Sequence, residues 1–504
     1  MSRSLVVCLA ALLLCACSHE KSGSDDPPPA PQPLVSPSWT DADRSAAIAA
    51  GENAIASHQC TRCHTIGELP GAGRPYDCVS CHVFIKGLKP GQKLYEKIAA
   101  GNGVAILDRY IRNIQHLLEV PDLTGIARRV RPQWIAGYLA SPHDLRPLLD
   151  ASMIRNKLSA DEIQTLVRYF TASADAPDPY AAGYVAPAPL PRPDAAGLAR
   201  GKELFSQRGC PGCHTFGNQD FGVSADTLEK ARSLALMAPD LRWVRERTRP
   251  DVIVDWILDP ASIKPGTKMA KMVVSRQEAE LIGGYLMYGD PGPLEKPADA
   301  EALMTLPPAA DRKVGWAEVK GKVLGVVCVH CHMEDFEKDT GPGNKGGFGY
   351  AGIGLGFRTY EHTVWGAIDP TTGERYSVLV PRPGETLPPI LDAMLRRRVE
   401  NRRDLTAPFH DTTLVDYGDG RLGMPLGLPA MNDEQLGILR AWIEQGCPGP
   451  TGVTGRPDKD DGFLVPDGPI AKNQGCELRA PADPPPKWSI RAIRARAAAK
   501  KKTK

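Results

Sequence analysis

Cys60-Thr61-Arg62-Cys63-His64 places two thiols and an imidazole within one short turn of chain. The arrangement returns three times, as Cys78-Val79-Ser80-Cys81-His82, Cys210-Pro211-Gly212-Cys213-His214 and Cys328-Val329-His330-Cys331-His332. Two thiols so spaced can add across the vinyl groups of a porphyrin, and the adjacent imidazole can then ligate the iron from one face. Cys-x-x-Cys-His is the attachment signature of c-type haem. A zinc site would need paired ligand sets without the strict trailing histidine. A thioredoxin-like dithiol would sit in an α/β pattern, which is absent here. The motifs therefore predict four covalently attached haem c groups. Cys60, Cys63, Cys78, Cys81, Cys210, Cys213, Cys328 and Cys331 are the attachment residues, and His64, His82, His214 and His332 the proximal iron ligands.

The elements that must position these residues can be read from composition breaks. Residues 171–196 and 289–312 are rich in Pro, Ala and Asp, and the chain after Gly446 is rich in Pro and Gly and ends Lys500-Lys501-Lys502-Thr503-Lys504. These segments read as linkers and a tail. They leave blocks at 46–170, 197–288 and 313–447, with the tail at 448–504. A length of 504 residues fits roughly three domains. A formal net charge of +2 indicates no nucleic-acid partner.

The first two blocks are internal repeats in matching register. Gly51 and Gly201 each lie nine residues before the first motif cysteine. Pro121-Asp122-Leu123 stands before Arg131-Pro132 as Pro239-Asp240-Leu241 stands before Arg249-Pro250. Met153 and Met269 follow, then Ser159 and Ser275 as helix N-caps with Glu162 and Glu278 as capping-box partners. Tyr169 and Tyr285 come ten residues after the caps. Helices are predicted over Gly51–His58, Gly201–Gln207, Arg131–Ala140, Pro250–Leu258, Ala160–Phe170 and Arg276–Tyr288, and no segment alternates like a hairpin. The fold class is all-α. Block three carries an entry helix at Trp316–Val327 and the motif. It closes with Met424-Pro425, a cap at Asn432 with Gln435, and a helix through Trp442. A long insertion separates His332 from Met424; it includes a glycine run at 341–356, which reads either as backbone closing on a ligand or as a mobile loop.

This order of parts resembles class I cytochrome c domains: haem motif after a helix, Pro-Asp-Leu, middle helix, loop methionine, and a last helix with an aromatic residue. The resemblance implies three such domains in tandem, with Met153, Met269 and Met424 as distal iron ligands through their thioethers. Met272 competes with Met269. Met424 has the Met-Pro of the family, whereas Ile154 and Ala270 follow the other two methionines.

The spacing from His64 to Pro121 is 57 residues, against 25 from His214 to Pro239. Block one therefore carries an insertion of 32 residues, which holds Cys78, Cys81 and His82. Register supplies no second ligand for that haem. His116, on a predicted helix from Val104 to Glu119 with Arg109 and Arg112 as candidate partners of haem propionates, is the expected one, and His58 is the other candidate. His362 and His410 are reserve ligands in block three.

Arg3 and the apolar run Leu5–Leu14 read as a signal peptide, and Leu14-Cys15-Ala16-Cys17 resembles a bacterial lipobox, implying lipidation at Cys17 and removal of residues 1–17. Residues 18–45 read as a disordered tether. Export leaves Cys447 and Cys476 as a candidate disulfide pair. The expectation is a lipid-anchored electron carrier on the periplasmic side of the cell envelope, exchanging electrons with redox partner proteins. Two rivals stand beside it. One is a haem enzyme with an open iron reducing peroxide or a nitrogen oxide, with Glu361 and His362 as acid/base groups. The other is a haem-bearing subunit of a larger respiratory complex.

Overall fold

A glycine on each entry helix and an aromatic residue on each closing helix decide how the blocks pack. In block one, α1 (Asp41–Ser57) starts at Thr40, whose side chain accepts from Asp43 N–H. It turns Gly51 onto Tyr169, so closely that a Cβ there would overlap the ring. Gly201 meets Leu281 and Tyr285 in the same way in block two. Tyr169, Tyr285 and their block-three counterpart Trp442 are all buried, and truncating any of them to alanine would cost about 3–5 kcal/mol.

The computed structural model describes residues 39–72, 77–102, 107–108, 111, 114, 118, 120–143, 145–149, 153–293, 300–326, 328–332, 342–401, 421–452, 470 and 474–477. The signal peptide with Cys17, the greater part of the tether, Arg109, Arg112, His116, His410 and the basic terminus lie outside them. The protein is mostly helical. Block one continues with α2 (Cys78–Lys86), α3 (Lys93–Asn102), α4 (Pro132–Ala140) and α5 (Ala160–Ala172). Block two holds α6 (Ala195–Gln207), α7 (Ala225–Ala235), α8 (Ile253–Leu258) and α9 (Arg276–Tyr288). Block three holds α10 (Trp316–Val319), α11 (Pro389–Asn401) and α12 (Asp433–Glu444), with single-turn helices between. Each block has its own buried cluster, and α2 and α3 have a small one around Leu88, Tyr95 and Leu107.

Several boundaries differ from the sequence expectation. Residues 41–45 belong to α1 rather than to a tether, because the cap at Thr40 starts the helix there. The entry segment of block three runs as α10 and then as a π-helical turn over Lys320–Leu324. Two short antiparallel pairs, Gly346–Gly347 with Tyr350–Ala351 and Ala367–Ile368 with Arg375–Tyr376, stand in its insertion. Neither could be read as alternation, since each strand has two residues. Cys447 and Cys476 form a disulfide with Cα atoms 5.2 Å apart, which ties residues 474–477 of the tail to block three. Among the described residues, no helix is long and apolar enough to cross a membrane.

Blocks one and two meet reciprocally. Arg131 N–H donates to Arg247 C=O and Arg249 N–H donates to Arg129 C=O, both at 2.9 Å, around an antiparallel bridge between Val130 and Thr248. Repeat register pairs Arg131 with Arg249 and Arg129 with Arg247. Equivalent residues therefore exchange equivalent bonds, as they do across a two-fold axis.

Candidate functional site

The first and third motifs fold alike. A residue in the left-handed region, Gln59 or Gly209, opens a 3-10 turn at Cys60–Arg62 or Cys210–Gly212. The His64 and His214 N–H groups then donate back to the first cysteine carbonyl at 3.0 Å. The second motif instead lies on α2, capped by Asp77, whose side chain accepts from Ser80 N–H. Helical spacing at i, i+3 and i+4 puts Cys78, Cys81 and His82 on one face.

Pro-Asp-Leu has a direct structural use. His64 Nδ1 lies 2.8 Å from Pro121 C=O and His214 Nδ1 lies 2.9 Å from Pro239 C=O. Beside each, Leu123 or Leu241 N–H donates to Thr65 or Thr215 C=O at 2.9 Å. In block three, Leu355-Gly356-Phe357 takes this place: His332 Nδ1 lies 3.2 Å from Leu355 C=O, and Phe357 N–H donates to His332 C=O at 3.0 Å. Leu355 is 23 residues after His332, close to the 25 between His214 and Pro239. The glycine run is thus backbone that closes on the motif histidine, and the extra length of block three comes after it.

A carbonyl can only accept, so each of these three Nδ1 atoms carries the proton. Nε2 is left with its lone pair, the form a metal requires. Burial pushes all three imidazoles below their ordinary pKa, His332 to about 4, which keeps them neutral at pH 7. His82 is also buried.

All four motifs face one connected cavity of about 2720 Å³. Its wall includes all the motif cysteines and their trailing histidines, together with Met153, Met269, Met272 and Met424. Drug-sized ligand pockets occupy about 300–1,000 Å³, so this space suits several large groups. No motif cysteine is in a disulfide. Burial pushes the Cys60, Cys210 and Cys331 thiols up to about 11 and Cys328 to about 12. Contact with the Cys78 thiol, then burial, raises Cys63. Among the described residues, no group of three or more His, Cys, Asp or Glu side chains could hold a bare metal ion.

Both methionines of block two, Met269 and Met272, line the cavity. Trp256 Nε1–H donates to Met269 Sδ at 3.1 Å, fixing that thioether on the cavity wall. His58 is not among the residues lining the cavity; it is buried, with Nε2 2.9 Å from Glu162. His362 stacks on Trp365, and neither it nor Glu361 lines the cavity.

Two features escaped sequence reasoning. Arg129 and Arg247 reach the cavity at equivalent positions beside the two-fold seam, with Lys264 nearby. Burial lowers all three pKa values, Arg129 to about 10 with Arg247's like charge adding to the effect, and no carboxylate pairs with either arginine among the described residues. The repeat register itself would have found the arginines, two residues before each Arg-Pro mark.

Compared with known proteins, the chain matches no family model, no curated protein and no solved structure.

Proposed function

We propose that this chain is a tetrahaem c-type cytochrome that carries electrons between redox partner proteins in the bacterial cell envelope, tethered to a membrane through Cys17. The observation that carries the reading is the set of three motif histidines held by Nδ1 on backbone carbonyls, on a wall shared with paired cysteines and loop methionines. Haem bound there would supply an iron that cycles between ferric and ferrous forms.

The residues determine what such an iron could do. His64, His214 and His332 would hold it from one side, and Met153, Met269 and Met424 from the other. At those three sites the chain's own histidine and methionine would leave no position for substrate, which favours a carrier over an enzyme. Thioether ligands raise the potential and a second imidazole would lower it. The Cys78/Cys81 site, for which His116 is the proposed second ligand, would therefore sit lowest. Buried Arg129 and the partly buried Arg247 and Lys264 line the cavity and would supply positive charge suited to the carboxylates of the group.

Mass and optical spectra of the exported full-length protein test this. Four haems resistant to acid-acetone extraction are expected, falling to three in Cys78→Ala/Cys81→Ala, with paramagnetic resonance showing low-spin iron throughout. Fewer covalent haems would reject the tetrahaem reading. A large high-spin signal that shifts on adding peroxide or nitrite would reject the carrier in favour of an enzyme.

A further inference from the structure

The Met153 and Met424 loops belong to different blocks, yet they pack against each other. Arg155 N–H donates to Leu426 C=O at 3.3 Å. Gly427 leaves no room for a side chain: a Cβ there would stand 2.8 Å from Ile154 Cα and 2.9 Å from Met153 C=O. Behind this seam lies a buried carboxylate. Glu400, near the end of α11, has a side chain 2% exposed. Its Oε1 accepts from Gly423 N–H at 2.6 Å, directly before Met424, and lies 3.4 Å from Arg155 Nη1, two residues after Met153. Its Oε2 takes Arg397 Nη1 at 3.3 Å.

Each partner is anchored again on its own side. Arg155 Nη2 donates to Ser141 Oγ at the end of α4, at 3.1 Å. Arg397 Nε donates to Leu428 C=O at 2.9 Å, and Met424 N–H donates to Ala393 C=O at 2.8 Å. A buried carboxylate between two guanidiniums is a weak stabiliser, because desolvation offsets the attraction; its best-attested use is to fix one register among alternatives. Here the register is that of two methionine loops. Met269 is held separately, by Trp256 and by Thr267 Oγ1, which accepts from Met269 N–H at 3.3 Å.

We propose that Glu400 is a positioning residue that locks the Met153 and Met424 loops into one register, so that thioether placement at the first and fourth motifs is set jointly and independently of Met269. The inference rests on the haem reading above. It makes those two sites a mechanical pair, although 91 residues separate His332 from Met424 and a whole block lies between the two domains in sequence.

Proton NMR of the ferrous holoprotein reads this site by site, because each iron-bound methionine methyl group resonates far upfield. Glu400→Gln keeps the side-chain shape and removes the charge. The expected result is that two of three upfield methyl signals move or broaden together while the third stays, with Glu400→Asp bringing the pair part of the way back. Gly427→Ala reaches the same seam from outside the ion triad and should disturb the same two signals. Movement of only one signal, of none, or of all three alike in the variant that folds overturns the joint register. Absence of upfield methyl signals from the unmutated protein overturns the methionine ligation itself, a result distinguishable from failure of the pair alone.

Discussion

At the scale of single residues, the motif histidines show what a carbonyl partner decides. Pro121, Pro239 and Leu355 fix which ring nitrogen carries the proton, and so which one faces the cavity. Trp256 does something comparable for sulfur. Its N–H draws electron density from Met269 Sδ. In the proposed haem site, a weaker thioether donor would favour ferrous over ferric iron. Trp256→Phe keeps the ring and removes the donor. A hydrogen bond contributes about 0.5–1.5 kcal/mol net, which for one electron corresponds to roughly 20–60 mV. A redox titration of the variant should show one of the high-potential components lowered by that amount and the others unmoved. A uniform shift of all components would assign the effect to general loosening rather than to this bond.

At the scale of elements, capping boxes were the most legible feature. Ser159 with Glu162, Ser275 with Glu278 and Asn432 with Gln435 all form as the spacing predicts, because the motif is local and its hydrogen bonds span three residues. The block-one cap also has a pH signature. Bonding to Ser159 N–H, then to His58, then to the Ser159 hydroxyl holds Glu162 down at about 2, against an ordinary 4.5. A depressed carboxyl stabilises the fold fully above about pH 4.5, and the contribution is lost as pH falls toward 2. The nominal value is about 3 kcal/mol at 1.36 kcal/mol per pH unit. Because the side chain is 42% exposed, screening by solvent reduces it to about 1 kcal/mol. Urea midpoints of the unmutated protein and Glu162→Gln should therefore differ most above pH 4.5 and converge by pH 2. A constant difference across that range would remove Glu162's charge from the stability of α5. Less legible were features whose cause lies far along the chain. Leu355 stands in for Pro121 with no shared side chain, because the bond uses only its carbonyl. The strands of the block-three insertion are too short to leave a period.

At the scale of the molecule, repeat register identified the copies but not their seams. The reciprocal bonds between Arg129, Arg131, Arg247 and Arg249 use backbone groups that carry no sequence signal, and the Arg155–Glu400 pair joins side chains more than two hundred positions apart. Composition at 171–196 left the packing of the segment unread for a related reason. Its prolines read as a linker, and a proline-rich linker can lie on a surface that leaves room for it. Leu190 and Pro193 sit against Gly283 and Gly284 of α9, and the Tyr288 hydroxyl donates to Leu190 C=O. At the other end, Trp39 Nε1–H donates to Ala176 C=O at 2.8 Å, and buried Asp178 pairs with Arg168 at 2.9 Å. A segment clamped at both ends joins its blocks as part of the body. Under native conditions a broad-specificity protease should leave 171–196 uncut, as judged by the masses of the fragments. Asp178→Ala removes the ion pair from the clamp on the first block and leaves the Trp39 bond. Losing that charge-assisted bond costs about 1.4 kcal/mol or more, and where cleavage follows the open population its rate there rises about tenfold. Early cutting of the unmutated chain between Tyr180 and Val185 would restore the flexible linker; equal resistance in the variant would assign the protection to the prolines themselves rather than to the clamp.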